Sequence, residues 1–132
     1  MVLATTFTVS LVSAALAGFT EIATTVGIDN GALAQGCAWG DFDGDGFADL
    51  YATNNYAIIV GSRAKLFRNN AGVDFTDRAG VVGVDDQGPS FGAAWADYDN
   101  DSDPDLYLVR GAFPPFITGD HYLYRNEGPA SS

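Results

Sequence analysis

The stretch Asp41-Phe42-Asp43-Gly44-Asp45-Gly46-Phe47-Ala48-Asp49-Leu50 places four carboxylates at positions 1, 3, 5 and 9 of a loop that glycine interrupts twice. Oxygen atoms at this spacing can converge on one hard cation, and Ca²⁺ takes six to eight oxygen ligands at about 2.3–2.6 Å. The spacing therefore predicts a calcium-binding loop.

A second copy of this loop stands at Asp97-Tyr98-Asp99-Asn100-Asp101-Ser102-Asp103-Pro104-Asp105-Leu106, with its aspartates at positions 1, 3, 5 and 9 shifted by 56 residues. Asn100 and Ser102 replace the two glycines of the first loop. Asn adopts left-handed backbone conformations more readily than Ser does. The sequence thus predicts two calcium sites of unequal affinity.

The ligands of each site follow from the positions in the loop. Position 7 can contribute its backbone carbonyl, and position 9 can close the shell from the start of the next strand. An EF-hand would instead need glutamate at position 12, where this chain has Ala52 and Leu108. Mg²⁺ fits an all-protein cage less well because it dehydrates reluctantly. The predicted metal ligands are Asp41, Asp43, Asp45, Phe47 and Asp49 in the first loop, and Asp97, Asp99, Asp101, Asp103 and Asp105 in the second.

The charge of the chain is concentrated in the two loops. The 132 residues carry a net charge of −11, and nine of the seventeen acidic residues lie in the loops. Nucleic acid is not an expected partner, because it requires clustered Lys and Arg. Like charges about 5 Å apart repel by about 3 kcal/mol at an effective dielectric of about 20. We therefore expect calcium to be a folding requirement.

Catalysis is not expected from this chain. Cys37 is the only cysteine, and it aligns with Ala93 of the second copy, which predicts a small buried residue rather than a nucleophile. His121 is the only histidine, and no nucleophile motif such as G-x-S-x-G accompanies it. The sequence predicts a non-enzymatic protein.

The loops belong to a longer internal repeat from Phe19 to Gly128. Gly36-Cys37-Ala38-Trp39-Gly40 matches Gly92-Ala93-Ala94-Trp95-Ala96 at an offset of 56, and Leu66-Phe67-Arg68-Asn69 matches Leu123-Tyr124-Arg125-Asn126 at an offset of 57. A fixed period of this length is typical of propellers and stacked repeats. We expect one repeat over residues 19–74 and the other over 75–132.

The composition predicts an all-β fold, because glycine and aromatic residues are abundant and no long amphipathic helical pattern is present. Each repeat is expected to contain a strand, the acidic loop, a second strand, a turn and a third strand. The recurrence of four aromatic residues in register favours packing in the core over ligand stacking. These are Trp39, Tyr51, Trp95 and Tyr107.

Residues 1–18 precede the repeats and contain no charged side chain. Phe7, Val9 and Leu11 alternate with Ser and Thr, and this period of two predicts a half-buried β-strand. The hydroxyl side chains argue against a membrane span, and the lack of a basic segment argues against a removed signal peptide.

The run Gly40 to Leu50, followed by Leu66 to Gly72 and Phe75-Thr76-Asp77, resembles the FG-GAP/VCBS repeat family. That family includes the calcium-bearing blades of integrin α-subunit propellers and many bacterial surface proteins. The resemblance implies two tandem propeller-blade-like repeats, two Ca²⁺ ions, and a location outside the cell or on a bacterial cell surface.

Two blades do not close a propeller, so exposed sheet edges are expected. The N-terminal strand could pair with the open edge of a second molecule. Such a head-to-tail contact propagates as a fibre. The leading hypothesis is a structural or adhesive domain that self-assembles in this way. The alternatives are packing of the strand on its own domain, a fragment of a larger propeller, and a module that binds protein or glycan through the aromatic loop Phe113-Pro114-Pro115-Phe116.

Overall fold

The structure, a computed structural model, describes residues 18–31, 34–54, 62–111 and 119–128. The N-terminal strand predicted within residues 1–18 lies almost entirely outside the described residues, and so does the aromatic loop at 113–116. Their predicted roles remain predictions.

The first repeat forms a four-stranded antiparallel sheet, which we call sheet A. Its strands are β1 (Ala34–Gly40), β2 (Asp49–Asn54), β3 (Lys65–Asn69) and β4 (Phe75–Asp77), arranged in that order. The acidic loop at 41–48 connects β1 to β2, which pair with Gly40 opposite Asp49. The loop is therefore held at one end of a hairpin.

The second repeat forms a three-stranded antiparallel sheet, sheet B. Its strands are β5 (Ser90–Ala96), β6 (Asp105–Arg110) and β7 (Tyr122–Tyr124), again in chain order. The register repeats that of sheet A, since Trp95 lies opposite Leu106 as Trp39 lies opposite Leu50. Together the two sheets confirm the all-β fold with two blade-like repeats.

Strand β4 shows that the sheets are shifted relative to the 56-residue repeat. It consists of Phe75-Thr76-Asp77, the motif with which the second repeat begins, yet it pairs with β3 of sheet A. The equivalent motif of the first repeat, Phe19-Thr20-Glu21, is not in a strand. Within the described part of the chain, sheet B accordingly has no fourth strand.

Two single-turn helices, which the sequence pattern did not predict, precede the sheets. These are α1 (Ala23–Val26) and α2 (Ala79–Val82), and each ends at a glycine with a φ above +80°. Four residues are too few to show a helical period, so a pattern search does not find them. No helix in the described ranges is long and apolar enough to cross a membrane.

The core lies between the two sheets. Tyr51, Leu66, Leu106 and Leu108 are at most 2% exposed and form its centre, and Trp95 packs against it. The backbones of β1 and β5 approach closely, because a Cβ on Gly36 would lie 2.5 Å from the carbonyl oxygen of Phe91. The two sheets thus pack through their faces, as neighbouring blades do.

The outer faces of the sheets are more exposed than the sequence suggested. Cys37, predicted to be buried, is exposed on β1, because neither sheet of the described residues packs against this outer face. Of the four aromatic residues predicted to pack in the core, Tyr51 is buried in it and Trp95 packs against it, whereas Trp39 is 54% exposed and Tyr107 is 41% exposed.

Candidate metal centres

Both acidic loops have the same backbone shape. Gly44 and Gly46 have φ angles of +70° and +87°, and Asn100 and Ser102 adopt +62° and +79° at the equivalent positions. The left-handed conformation is unfavourable for a residue with a Cβ, least so for Asn and Asp. The second loop therefore reproduces the first at a cost in backbone strain.

The aspartate at position 1 shapes each loop. Asp41 accepts hydrogen bonds from the backbone N–H groups of Asp45 and Gly46, at 3.1 and 2.9 Å. Asp97 accepts the equivalent bonds from Asp101 and Ser102, at 3.1 and 3.0 Å. These bonds curl the chain around the carboxylate.

The aspartate at position 9 joins each loop to the third strand of its sheet. Buried Asp49 accepts hydrogen bonds from the N–H groups of Phe42, at 3.0 Å, and Asn69, at 2.7 Å. Asp105, also buried, accepts the equivalent bonds from Tyr98 and Asn126. Burial raises the pKa of Asp49, and the two backbone hydrogen bonds only partly oppose this.

The structure gathers six of the ten predicted ligands into two carboxylate clusters. In each cluster one oxygen atom of every member lies within 4.8 Å of the others. Asp49 is not in the first cluster, and Asp101 and Asp103 are not in the second. The clusters are Asp41, Asp43 and Asp45 in the first loop, and Asp97, Asp99 and Asp105 in the second.

An arginine contacts each cluster, and the sequence analysis did not assign it a role. Arg68 on β3 donates to Asp43 and, at 2.7 Å, to Asp45. Arg125 follows β7 and pairs with Asp99 at 2.9 Å and with Asp101 at 3.5 Å. Each arginine supplies one positive charge to the carboxylates at positions 3 and 5.

The asparagine after each arginine closes the other side of the loop. The Asn69 side-chain amide donates to the carbonyl of Ala48 at 3.0 Å, and that of Asn126 donates to the carbonyl of Pro104 at 3.2 Å. The sequence does contain a signal for these contacts, because an Arg-Asn pair follows the acidic loop in both repeats, at an offset of 57. A contact between the pair and the loop accounts for this recurrence.

The first cluster offers three carboxylates and one oxygen atom that makes no hydrogen bond. This atom, Oδ1 of Asp43, is buried and has no hydrogen-bond partner among the described residues, a state that is costly for a carboxylate. At Asp99, partial burial and the nearby charge of Asp101 raise the pKa of the carboxyl, although Arg125 opposes this. Both loops can therefore gain from a further positive charge, and hard carboxylate oxygens favour Ca²⁺ or Mg²⁺.

These features define a β-protein of blade-like sheets, each with an acidic loop between its first two strands. Comparison with protein families agrees, because residues 38–73 match the family model "FG-GAP repeat". The match covers the last three residues of β1, the first acidic loop, β2 and β3. Neither the curated proteins nor the solved structures contained a match to the chain.

Proposed function

We propose that this protein is a non-enzymatic, calcium-stabilised structural or adhesive domain that acts outside the cell and associates with further copies head to tail. The observation that carries the calcium assignment is the pair of carboxylate clusters at equivalent positions of two repeats, one with the buried, unpartnered Oδ1 of Asp43. The family match of the first repeat supports the assignment.

Calcium would act on the free energy of folding rather than on a reaction. In each loop the cation would bind carboxylates that the chain holds close together, and it would reduce their mutual repulsion. Two Ca²⁺ ions would also reduce the net charge of −11 to −7. Arg68 and Arg125 offset part of this repulsion, and so they lower the benefit that calcium brings.

The test is thermal unfolding in calcium and in chelator. We expect calcium to raise the Tm, with a stabilisation of about 2.7 kcal/mol per site at a concentration 100 times the Kd. Asp43→Asn and Asp99→Asn should each remove part of this shift. Asp74→Asn, in the turn before β4, is the matched control and should leave it intact. A Tm that is the same in calcium and in chelator contradicts the proposal.

Self-association is proposed on the basis of the sheet edge at β7, which no strand of the described residues covers. A sheet with an open edge can accept a strand from another chain, and the uncharged segment 1–18 has the alternating pattern of such a strand. Because donor and acceptor surfaces differ, the contact is head to tail and propagates as a fibre unless its rotation closes a ring.

Electron microscopy of the full chain tests this route. We expect filaments for the unchanged protein and none for the double variant Thr8→Pro/Val9→Pro. Successive N–H groups of a strand point to opposite edges, so one of the two prolines removes a donor from whichever edge pairs. Filaments that persist in the double variant contradict pairing through this strand.

A further inference from the structure

The side chain of Asn126 joins the two acidic loops. Its amide nitrogen donates to the carbonyl of Phe42 in the first loop at 2.8 Å and to the carbonyl of Pro104 in the second loop at 3.2 Å. Phe42 and Asn126 are 84 residues apart in the chain, so this is a contact between the repeats. One amide group therefore holds both loops.

On the side of the second loop, Asn126 is bonded to a member of the carboxylate cluster. Its backbone N–H donates to Oδ1 of Asp105 at 2.8 Å, and Asp105 shares the cluster with Asp97 and Asp99. Its side-chain oxygen accepts the N–H of Gly128 at 3.1 Å. The position of the Asn126 amide thus depends on where Asp105 is held.

On the side of the first loop, Phe42 lies between two members of the other cluster. Asp41 precedes it and Asp43 follows it. The N–H of Phe42 donates to buried Asp49 at 3.0 Å, and its side chain packs against the core that the two sheets share. The bond from Asn126 holds the carbonyl of the same residue, which belongs to the peptide unit that leads into Asp43.

The equivalent residue of the first repeat, Asn69, makes contacts of the same kind with its own loop. Its backbone N–H donates to Asp49, its side-chain amide donates to Ala48 at 3.0 Å, and its side-chain oxygen accepts the N–H of Gly72. Among the described residues, no hydrogen bond joins Asn69 to the second loop. The bond to the other loop therefore distinguishes Asn126 from its equivalent.

We propose that Asn126 couples the two loops, so that a divalent cation bound in one loop raises the affinity of the other loop for a second cation. This inference rests on the proposed calcium sites and adds their dependence on each other. Asn126 acts as a positioning residue, because it holds the loops through the carbonyls of Phe42 and Pro104 and through Asp105.

The sign of the coupling follows from the cost of ordering each loop. Without a cation, repulsion between the carboxylates favours looser arrangements of a loop. A cation in the second loop would fix Asp105 and with it the amide of Asn126, which then holds the carbonyl of Phe42. The first loop is then partly ordered before its own cation binds, and less ordering entropy opposes binding. By linkage, the effect has the same size in the other direction.

Repulsion between two bound cations has the opposite sign. Salt screens this repulsion, with a Debye length of about 8 Å at physiological ionic strength, and it screens a partly buried contact much less. Coupling between two sites typically changes affinity by a factor of about 5 to 150. Because one hydrogen bond between the loops carries the coupling, we expect a factor at the lower end of this range, about fivefold.

The first test is calorimetric titration of the full chain with Ca²⁺ at physiological ionic strength. Asp43→Asn and Asp99→Asn should each weaken one loop, so that the other loop fills alone. The product of the two binding constants of the unchanged protein should exceed the product of these single-loop constants about fivefold. Asp45→Asn and Asp101→Asn, at exposed carboxylates, replace these variants where either does not fold.

The decisive comparison is between the two asparagines. Asn126→Ala should bring the ratio of the two products close to one. Asn69→Ala is the matched control, because it removes the equivalent contacts with its own loop. It should lower the affinity of the first loop, but the ratio should remain about fivefold. Cooperativity that arose only because both cations stabilise the same fold would not be lost selectively in Asn126→Ala.

Hydrogen exchange of the Phe42 N–H provides a second readout, which does not require a cation in the first loop. In Asp43→Asn, calcium that fills the second loop should slow this exchange about fivefold. Asn126→Ala in the same background should abolish the slowing, whereas Asn69→Ala should keep it. A purely structural role of Asn126 would change the exchange rate equally with and without calcium.

The outcomes distinguish this proposal from the calcium assignment. Two calcium sites whose ratio is the same in Asn126→Ala as in the unchanged protein overturn the coupling and leave the assignment standing. The same holds if the first cation weakens the binding of the second. A full chain that binds no Ca²⁺ overturns both.

Discussion

At the scale of single residues, Arg68 shows that a side chain of the protein offsets part of the negative charge of the first acidic loop. The repulsion between the aspartates led us to expect that calcium is a folding requirement. In the structure, Arg68 already pairs with Asp43 and Asp45, and Arg125 does the same in the second loop. Each loop thus has a positively charged side chain that would compete with the proposed calcium ion for the same oxygens.

Replacement of Arg68 separates these two effects. In Arg68→Met, we expect the calcium-free protein to lose about 1 kcal/mol of stability, the upper range for partly exposed ion pairs. Calcium affinity should rise, because the guanidinium no longer competes. Calorimetric titration with Ca²⁺ and urea unfolding in chelator measure both quantities.

Lys65→Met is the control for this prediction, since Lys65 pairs with Asp77 on β4 and not with an acidic loop. A calcium affinity that falls in Arg68→Met would show that the arginine organises the site instead of competing for it.

Asp49 predicts a pH dependence of stability in the absence of calcium. Burial raises its pKa above the ordinary value of 3.8, so the folded state binds a proton at Asp49 more tightly than the unfolded state does. The contribution of this group is therefore favourable at low pH and is lost as the pH rises through the raised pKa. The test measures urea midpoints at several pH values between 7 and 4 in calcium-depleted buffer. The change of the midpoint with pH should differ between the unchanged protein and Asp49→Asn. Asp74→Asn should keep the original slope, and an unchanged slope in Asp49→Asn is the contradicting result.

At the scale of elements, the strands next to the loops could be predicted and the boundaries between sheets could not. Each repeat was expected to contain a second strand after the acidic loop and a third strand after a turn, and β2 and β3 are these strands in the first repeat. The period of two and the flanking turn residues are local signals, and they identify strands without knowledge of the partner. Pairing of β4 with β3 is a contact between repeats, so no pattern within one repeat reveals it.

For the candidate site, the identity of the aspartates could be predicted from the sequence, and their grouping into clusters could not. The aspartates follow from their spacing, but which of them share a cluster depends on how the loop curls. Asp49 uses both of its oxygens on backbone N–H groups, which no spacing argument predicts. The exposure of Cys37 and Trp39 depends on what packs on the outer face of sheet A, and that information is not local.

Gly36 provides a test of the contact between the sheets. Gly36→Ala adds a Cβ 2.5 Å from a backbone carbonyl of β5, and overpacking of this kind costs about 1–3 kcal/mol. Urea unfolding in calcium should show this loss, whereas Gly92→Ala, measured under dilute monomeric conditions, should unfold close to the unchanged protein. Equal losses in both variants would show that the strands, and not the contact between sheets, require glycine.

At the scale of the whole molecule, the shared core predicts one cooperative transition. Tyr51 and Leu66 of sheet A pack with Leu106 and Leu108 of sheet B, so neither sheet buries its apolar face alone. Unfolding followed by far-ultraviolet circular dichroism and by tryptophan fluorescence should give coincident curves. Asp99→Asn changes the second loop only, and it should lower the unfolding midpoint by the same amount in the circular dichroism curve and in the fluorescence curve. Two separated transitions would show that the repeats fold independently.

The displacement of β4 from its own repeat has a consequence for how such a chain can grow by duplication. Each added unit supplies the closing strand of the sheet before it and leaves its own sheet for the next unit to close. Adding a unit therefore does not align the sheets with the repeats, because the same offset between sheet and repeat recurs in the added unit. The sheet of a unit is therefore completed by the first strand of the unit that follows it, as β4 completes sheet A.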